Sequence, residues 1–212
     1  MEEYEKARER MVAEQLVPRG ISDDRVLTAM GTVPRHRFVE KGQEAIAYSD
    51  RPLPIGHHQT ISQPYIVARM TESLELQPDD RVLEIGAGSG YQAAVLAELG
   101  QTVYSVEKIE PLMKRASGIL KELGYDNVSV KLHDGTQGWP ENAPFDAILV
   151  TAGAPDVPQP LMDQLSEGGR MIIPVGDQTL QELIKVTKEN GEAHKEKLGG
   201  CRFVPLRGEH GW

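Results

Sequence analysis

Residues 82–91 read Val-Leu-Glu-Ile-Gly-Ala-Gly-Ser-Gly-Tyr, and this stretch decides the fold of the chain. Four residues that suit a buried strand lead directly into three glycines at alternate positions, and a helix-forming segment follows. Glycine adopts backbone angles that other residues avoid, and it lets a ligand approach the main chain closely. A strand, a tight glycine turn and a helix N-terminus together form a binding corner for a nucleotide-like ligand.

The glycine spacing and the next acidic residue narrow the class of ligand. The motif is Gly-x-Gly-x-Gly, whereas a dinucleotide-binding fingerprint is Gly-x-Gly-x-x-Gly. Residues 102–106 predict a second strand, and Glu107 ends it about 20 residues after the motif, where an acid can bind ribose hydroxyls. The alternatives are a purely structural glycine turn and a solvated acid at the strand end. The combination of strand, helix and acid favours ligand binding.

Strands and helices alternate from residue 78 to residue 176. Residues 110–123 place an apolar stripe along one face of a predicted helix, and residues 147–150 form the continuous apolar run expected of a central parallel strand. This alternation predicts the α/β class, with a doubly wound, Rossmann-like and mostly parallel sheet that carries helices on both faces.

The segments on either side of this core follow other patterns. Residues 1–77 predict a helical and loop cover, with an amphipathic helix over 3–16, a short helix capped by Ser22, and a long aperiodic loop over 32–61. A loop of that length is more often functional than idle. Residues 177–212 predict antiparallel additions to the sheet edge. Their signals are alternation at 183–187, a hairpin turn at Asn190-Gly191 and a last strand over 201–206.

Composition excludes several classes of function. The net charge of −9 argues against nonspecific binding to nucleic acid or to an anionic membrane, although a local basic patch is compatible with it. The single cysteine, Cys201, allows no internal disulfide and fits a cytoplasmic setting. No apolar run approaches the roughly 18 residues of a membrane span, and the acidic N-terminus lacks signal-peptide features. The six histidines form no metal-type pair on a predicted helix, so no metal site is expected.

Taken together, these motifs resemble those of the class I S-adenosylmethionine-dependent methyltransferases, and more narrowly those of the protein-L-isoaspartate O-methyltransferase family. The segment Thr60-Ile61-Ser62-Gln63-Pro64 and the ending Val204-Pro205-Leu206 are more specific than the glycine motif. Two departures are small: His58 and His133 stand where members often have glycine. The matching stretches cover nearly the whole chain in family order, at 59–64, 82–91, 106–107, 134–135, 146–152, 165–176, 203–206 and 211–212.

The resemblance implies a reaction that suits the residues present. It implies a single methyltransferase domain over 1–212 that transfers a methyl group from S-adenosyl-L-methionine to the free α-carboxylate of L-isoaspartyl residues. The products are a methyl ester, which starts repair of the damaged protein, and S-adenosyl-L-homocysteine. Because that carboxyl is already ionised at neutral pH, its attack on a sulfonium methyl needs no general base. Catalysis then depends on orientation and a dry pocket, so the absence of an evident catalytic dyad is expected.

The same resemblance assigns roles to individual residues. Ser62 is the catalytic serine, which holds the substrate carboxylate in line; an N-cap role at a helix start is the alternative. Asp134 and Gly135 lie at the adenine, and a turn role for Asp134 is the alternative. The predicted cofactor-binding residues are Gln59, Thr60, Gly86, Ala87, Gly88, Ser89, Gly90, Glu107, Asp134 and Gly135. The predicted substrate-binding residues are Thr60, Ile61, Ser62, Leu206 and Arg207.

Isoaspartyl-containing proteins and peptides are the expected partners of a monomeric enzyme that binds neither nucleic acid nor membrane.

Three other functions compete with this prediction. The segment 60–62 argues against a methyltransferase of the same fold that acts on a small molecule or another macromolecule. The glycine spacing argues against an NAD-dependent oxidoreductase. The joint presence of the glycines, Glu107 and Ser62 argues against a non-catalytic binding module.

Overall fold

A seven-stranded sheet forms the centre of the fold in the computed structural model, which describes residues 2–212. The strands in chain order are β1 (Leu53–Gly56), β2 (Gln59–Ile61), β3 (Arg81–Ile85), β4 (Thr102–Glu107), β5 (Val128–Leu132), β6 (Phe145–Val150), β7 (Leu165–Gly176), β8 (Gln181–Glu189) and β9 (Glu192–Cys201). The sheet order is β5-β4-β3-β6-β7-β8-β9, and β1 and β2 form a separate hairpin. The five strands from β5 to β7 are parallel, and the last two are antiparallel additions.

Helices cover both faces of the sheet, as predicted. Helices α4 and α5 pack on one face, and the shorter α6 packs on the other. Alternate residues of β3 enter different cores: Val82 belongs to the core under α4 and α5, and Leu83 to the core that contains Leu161 of α6. This division follows from the two-residue repeat of a strand, which sends successive side chains to opposite faces. The helices in chain order are α1 (Glu2–Arg10), α2 (Asp24–Thr32), α3 (Pro64–Ser73), α4 (Tyr91–Ala97), α5 (Glu110–Glu122) and α6 (Gln159–Gln164).

The N-terminal cover is helical, with one correction to its predicted cap. The helical run predicted over 3–16 is α1 continued by a π-helical stretch, Met11–Leu16. The prediction that Ser22 caps the second helix is wrong, because Asp23 is the N-cap and its Oδ1 accepts from the Arg25 backbone N–H at 2.8 Å. The backbone N–H of Ser22 instead donates to Oε1 of Glu72 at 2.7 Å, which attaches α2 to α3.

The segment over 32–61 contains regular structure that its sequence does not reveal. Strands β1 and β2 pair antiparallel, with Leu53 opposite Ile61. His57 and His58 form the turn between them and have positive φ values of 52° and 58°. Strands of four and three residues are too short to show a two-residue alternation, so the sequence pattern predicted only a loop.

The C-terminal hairpin is present, whereas the strand predicted over 201–206 is not. Strands β8 and β9 pair from Gln181 to Cys201 around the Asn190-Gly191 turn. The chain then returns to the carboxyl edge of the parallel strands. There Gly153 donates its N–H to the Val204 carbonyl and accepts from the Leu206 N–H, both at 2.8 Å. The residues over 201–206 therefore form a covering segment over the parallel strands, with a single bridge between Pro205 and Gly153.

Candidate active site

A cavity of about 370 Å³ lies at the carboxyl ends of β3, β4 and β6. The connection after β3 leads to β4 on one side, and β6 joins β3 on the other, so the cavity sits where the strand order reverses. Four groups of residues supply most of its wall, namely 57–62, 85–89, 106–109 and 204–207.

The glycine turn of the deciding motif forms the floor of this cavity. Gly86, Gly88 and Gly90 have φ values of +95°, +53° and +88°, a conformation that side chains rarely adopt. A Cβ on Gly86 would lie 2.5 Å from Oγ1 of Thr151, a hydroxyl that donates to the Gly86 carbonyl at 2.7 Å. Backbone conformation and packing both require glycine here, and the turn therefore presents main chain to the cavity.

Glu107 stabilises this turn from the end of β4. Its Oε2 accepts from the Gly88 backbone N–H at 2.8 Å, and its Oε1 accepts from the N–H groups of Lys108 and Ile109 at 2.9 Å. The residue is only 7% exposed and lines the cavity. The alternative of a solvated strand-end acid is therefore wrong.

The carboxylate of Asp134 accepts hydrogen bonds from other groups of the same chain. Its Oδ1 accepts from the backbone N–H and the hydroxyl of Thr136, and its Oδ2 accepts from the Glu209 N–H at 3.0 Å. Burial opposes ionisation of this carboxyl, but these hydrogen bonds outweigh it and lower its pKa. Gly135 lines the cavity, whereas the lining does not include Asp134. Asp134 thus has the predicted turn role, and its contact with adenine stays a prediction.

Ser62 lines the same cavity and does not cap a helix. Helix α3 begins at Pro64, its N-cap position is Gln63, and the carboxylate of Asp50 accepts from the Tyr65 backbone N–H at 3.1 Å. The Ser62 hydroxyl has no hydrogen-bond partner among residues 2–212, and its carbonyl accepts from Nη2 of Arg35 at 2.8 Å. The capping alternative is therefore wrong, and the hydroxyl is available to a ligand.

The C-terminal segment closes one side of the cavity. Leu206 and Arg207 line it, and the Leu206 carbonyl accepts from the Trp212 backbone N–H at 2.8 Å. The Trp212 indole N–H donates to the Gly153 carbonyl at 3.2 Å. The bond from the Glu209 N–H to Asp134 fastens the tail to the loop that follows β5.

The structure brings most of the predicted site residues to one place. Gly90 and Asp134 lie outside the lining and shape it from behind. The predicted residues that line the cavity are Gln59, Thr60, Ile61, Ser62, Gly86, Ala87, Gly88, Ser89, Glu107, Gly135, Leu206 and Arg207.

Sequence reasoning missed residues that organise the site from the long segment before β1. Asp50 caps α3, and Arg35 binds the Ser62 carbonyl, yet neither stands in a recognisable motif. Thr151 was also missed, although it directly follows the apolar run of β6, where parallel strands place functional side chains.

Glu84 is a buried acid next to the glycine turn. It is fully buried within β3; one carboxyl oxygen accepts from the Ser105 hydroxyl, and the other has no partner among residues 2–212. Burial raises the pKa of Glu84 to about 8, the Ser105 hydrogen bond opposes this shift, and the negative charge of Glu107 adds to it. The carboxyl is therefore mainly protonated at neutral pH.

The chemistry that this arrangement supports is binding and orientation. Within residues 2–212, no histidine or carboxylate bonds to the Ser62 hydroxyl, so the serine is not activated as a nucleophile. The same residues contain no cluster of three His, Cys, Asp or Glu side chains placed to bind a metal ion.

None of the helices described over 2–212 is both long and apolar enough to cross a membrane.

Comparison with known proteins points to one family. A family model described as protein-L-isoaspartate(D-aspartate) O-methyltransferase matches residues 6–211. Protein-L-isoaspartate O-methyltransferase 1 of Syntrophobacter fumaroxidans is 59% identical over 99% of this chain and 98% of its own length. Protein-L-isoaspartate O-methyltransferase of Geobacter metallireducens is 58% identical over 99% of this chain and 97% of its own length.

Two solved structures give the same result. A protein-L-isoaspartate O-methyltransferase is 32% identical with a TM-score of 0.88, over 96% of this chain and 67% of that one. A Plasmodium falciparum protein of the same description, in complex with S-adenosyl-L-homocysteine, is 31% identical with a TM-score of 0.81, over 94% of this chain and 98% of that one.

Replacement of Glu84 by glutamine is expected to change how stability depends on pH. In the folded protein the Glu84 carboxyl has a pKa of about 8, against its usual 4.5. Between these pH values the folded state therefore binds one proton more than the unfolded state. Stability present below pH 4.5 is therefore lost as the pH rises toward 8. Relative to E84Q, the wild-type free energy of unfolding should fall by up to about 1.4 kcal/mol per pH unit. Urea unfolding across this range measures the effect, and equal slopes for both proteins would contradict it.

Proposed function

This chain belongs to the protein-L-isoaspartate(D-aspartate) O-methyltransferase family and is an S-adenosylmethionine-dependent methyltransferase of isoaspartyl residues, and we propose that the cavity at the carboxyl edge of its sheet is the active site. One observation carries this proposal: residues 86–89 of the glycine turn and the free hydroxyl of Ser62 face one cavity that contains no activated nucleophile. A substrate carboxylate, which is ionised already, needs no such group.

The cavity wall fits the proposed cofactor. When bound, S-adenosyl-L-methionine supplies a methyl group on a positively charged sulfur. In our proposal residues 86–89 wrap the methionine part and approach the sugar, and Gly86 and Gly88, which have no side chains, expose main chain there. The Glu107 carboxylate accepts from the ribose hydroxyls, while Gly135 and Asp134 lie at the adenine. Gln59, Thr60 and Gly90 complete the proposed cofactor-binding residues.

Ser62 is the proposed contact for the reacting carboxylate of the substrate. Its hydroxyl donates a hydrogen bond to one carboxylate oxygen and leaves the other free to attack in line. No proton is removed from Ser62 in this step, because the attacking group is already an anion. The buried Ile61 and Leu206 exclude water beside it, and the exposed Thr60 contacts the substrate. The guanidinium of Arg207 attracts the negative charge at the cavity mouth.

The remaining features of the enzyme are proposed from the composition of the chain and the placement of the cavity. Residues 1–77, 78–176 and 177–212 all contribute to the wall of one cavity, which supports a single domain. All of the residues proposed for the reaction belong to one chain, which supports a monomer. The net charge of −9 supports an enzyme that does not bind nucleic acid, and the single cysteine supports a cytoplasmic location.

The first test is methyl transfer from labelled S-adenosyl-L-methionine to a short isoaspartyl peptide, beside the same peptide with normal aspartate. We expect transfer to the isoaspartyl peptide only, because only that peptide presents an α-carboxylate at the damaged residue. Transfer to neither peptide, with S-adenosyl-L-homocysteine still bound in calorimetry, would leave the cofactor assignment intact and refute the substrate.

Substitution of Ser62 by alanine tests the proposed orienting role. We expect kcat for the isoaspartyl peptide to fall by about tenfold to hundredfold, because the carboxylate loses its hydrogen bond and its alignment. The affinity for S-adenosyl-L-homocysteine and the melting temperature should stay unchanged. The exposed Ser129 in β5 provides the control variant S129A, which should match the wild type. A lower melting temperature with full kcat would assign Ser62 a structural role instead.

Substitution of Glu107 by glutamine tests the cofactor site. The amide has one acceptor oxygen instead of two, and hydrogen bonds to charged groups contribute about 1.5–3 kcal/mol. Affinity for S-adenosyl-L-homocysteine should therefore fall by about tenfold to hundredfold in calorimetry. The control is E110Q, at an exposed acid of α5 that pairs with Lys114 at 2.6 Å. Equal affinities for both variants would remove Glu107 from the cofactor site.

A further inference from the structure

Arg35 is a buried cation in a part of the chain that no motif marks. It begins a 3₁₀ turn, Arg35–Arg37, and its side chain is completely buried. Burial lowers the pKa of Arg35 to about 10, so the guanidinium is still charged at neutral pH. Removing a charge from water is costly, and proteins usually compensate it with a carboxylate partner. Among residues 2–212, Arg35 forms no ion pair with a carboxylate.

The contacts of Arg35 connect three segments around the candidate active site. Nε donates to the Ala47 carbonyl at 2.7 Å, and Nη2 donates to the Ser62 carbonyl at 2.8 Å. The guanidinium carbon lies 4.8 Å from the centroid of the Tyr91 ring, a cation–π distance. Ser62 and Tyr91 both line the cavity, whereas Arg35 itself does not.

These contacts are selective, which argues against a role in core packing alone. The third guanidinium nitrogen, Nη1, is buried and has no hydrogen-bond partner among residues 2–212. An apolar side chain of similar volume would fill this space without burying a charge or leaving a donor unpaired. Only the planar guanidinium can bridge two carbonyls at a fixed angle while its face packs on an aromatic ring.

We propose that Arg35 is a positioning residue for methyl transfer, which holds the backbone of Ser62 at a fixed place relative to Tyr91 and the glycine turn. This inference rests on the proposed role of Ser62. Tyr91 directly follows Gly90 and begins α4, so Arg35 links the segment that carries the substrate contact to the segment that carries the cofactor contact. Displacement of a reacting group by 1 Å is enough to slow a reaction by about a hundredfold.

The test uses R35K and R35Q, because each can donate to one of the two carbonyls but cannot bridge both in a fixed plane. We expect kcat for the isoaspartyl peptide to fall by about tenfold to hundredfold, with the affinity for S-adenosyl-L-homocysteine changed by less than about threefold. Both quantities are measured well below the melting temperature of each variant. The neutral R35Q is the second variant because it buries no charge.

The matched control is R170K. Arg170 also binds backbone carbonyls, of Leu74 and Glu75 at 2.9 Å, and it pairs with Asp80 at 2.6 Å, but it lies outside the cavity lining. R170K should lower the melting temperature and keep the wild-type kcat. If R35K and R35Q fail to fold where R170K folds, or if they keep kcat within about threefold of the wild type, the proposed positioning role is refuted.

A double substitution separates action through Ser62 from other effects. If Arg35 acts by placing the Ser62 hydroxyl, R35K should cost less than about threefold in kcat when it is added to S62A. An equal cost in both backgrounds would overturn the inference while leaving methyl transfer by the wild type intact. Failure of the wild type to methylate the isoaspartyl peptide would instead refute the proposed function itself.

Discussion

The carboxylate of Glu107 is the interaction on which the cavity depends. It accepts three backbone N–H groups, one from the glycine turn after β3 and two from the chain that leaves β4. Hydrogen bonds to a charged group contribute about 1.5–3 kcal/mol, so these bonds hold both backbone segments to one carboxylate. One side chain thus joins two strand ends and sets the shape of the turn between them. Thr151 at the end of β6 supports the same turn from its other side.

The reaction places its demands on geometry more than on reactivity. An ionised carboxylate and a sulfonium methyl are already matched as nucleophile and electrophile, so the protein has only to align them in a dry space. This accounts for a cavity whose floor is main chain and whose polar side chains bind and orient the reactants. It also accounts for the use of polar residues such as the partly buried Asp50, which holds the start of α3 next to Ser62 without entering the cavity.

The sequence predicted the features that depend on residues close together in the chain better than those that depend on residues far apart. Periodicity revealed β3, β6 and α5, because each depends on residues close in the chain, and the resemblance to a known family selected residues that the structure brings to one cavity. The hairpin β1–β2 was missed because its strands are too short to alternate. Arg35 was missed because its partners, Ala47 and Ser62, lie 12 and 27 positions away along the chain. The strand predicted over 201–206 was wrong because the local sequence does not distinguish a strand paired in the sheet from an extended covering segment.

The main-chain character of the turn at 86–90 has a consequence for evolutionary drift. Recognition that is made by peptide groups is inherited with the path of the backbone, so most neighbouring side chains are free to diverge without loss of the binding surface. That freedom ends at Gly86, where the positive φ and the nearby Thr151 hydroxyl leave no room for even a methyl group. Related sequences should therefore diverge at most positions near the turn and keep the same residue at the few positions where no substitution fits.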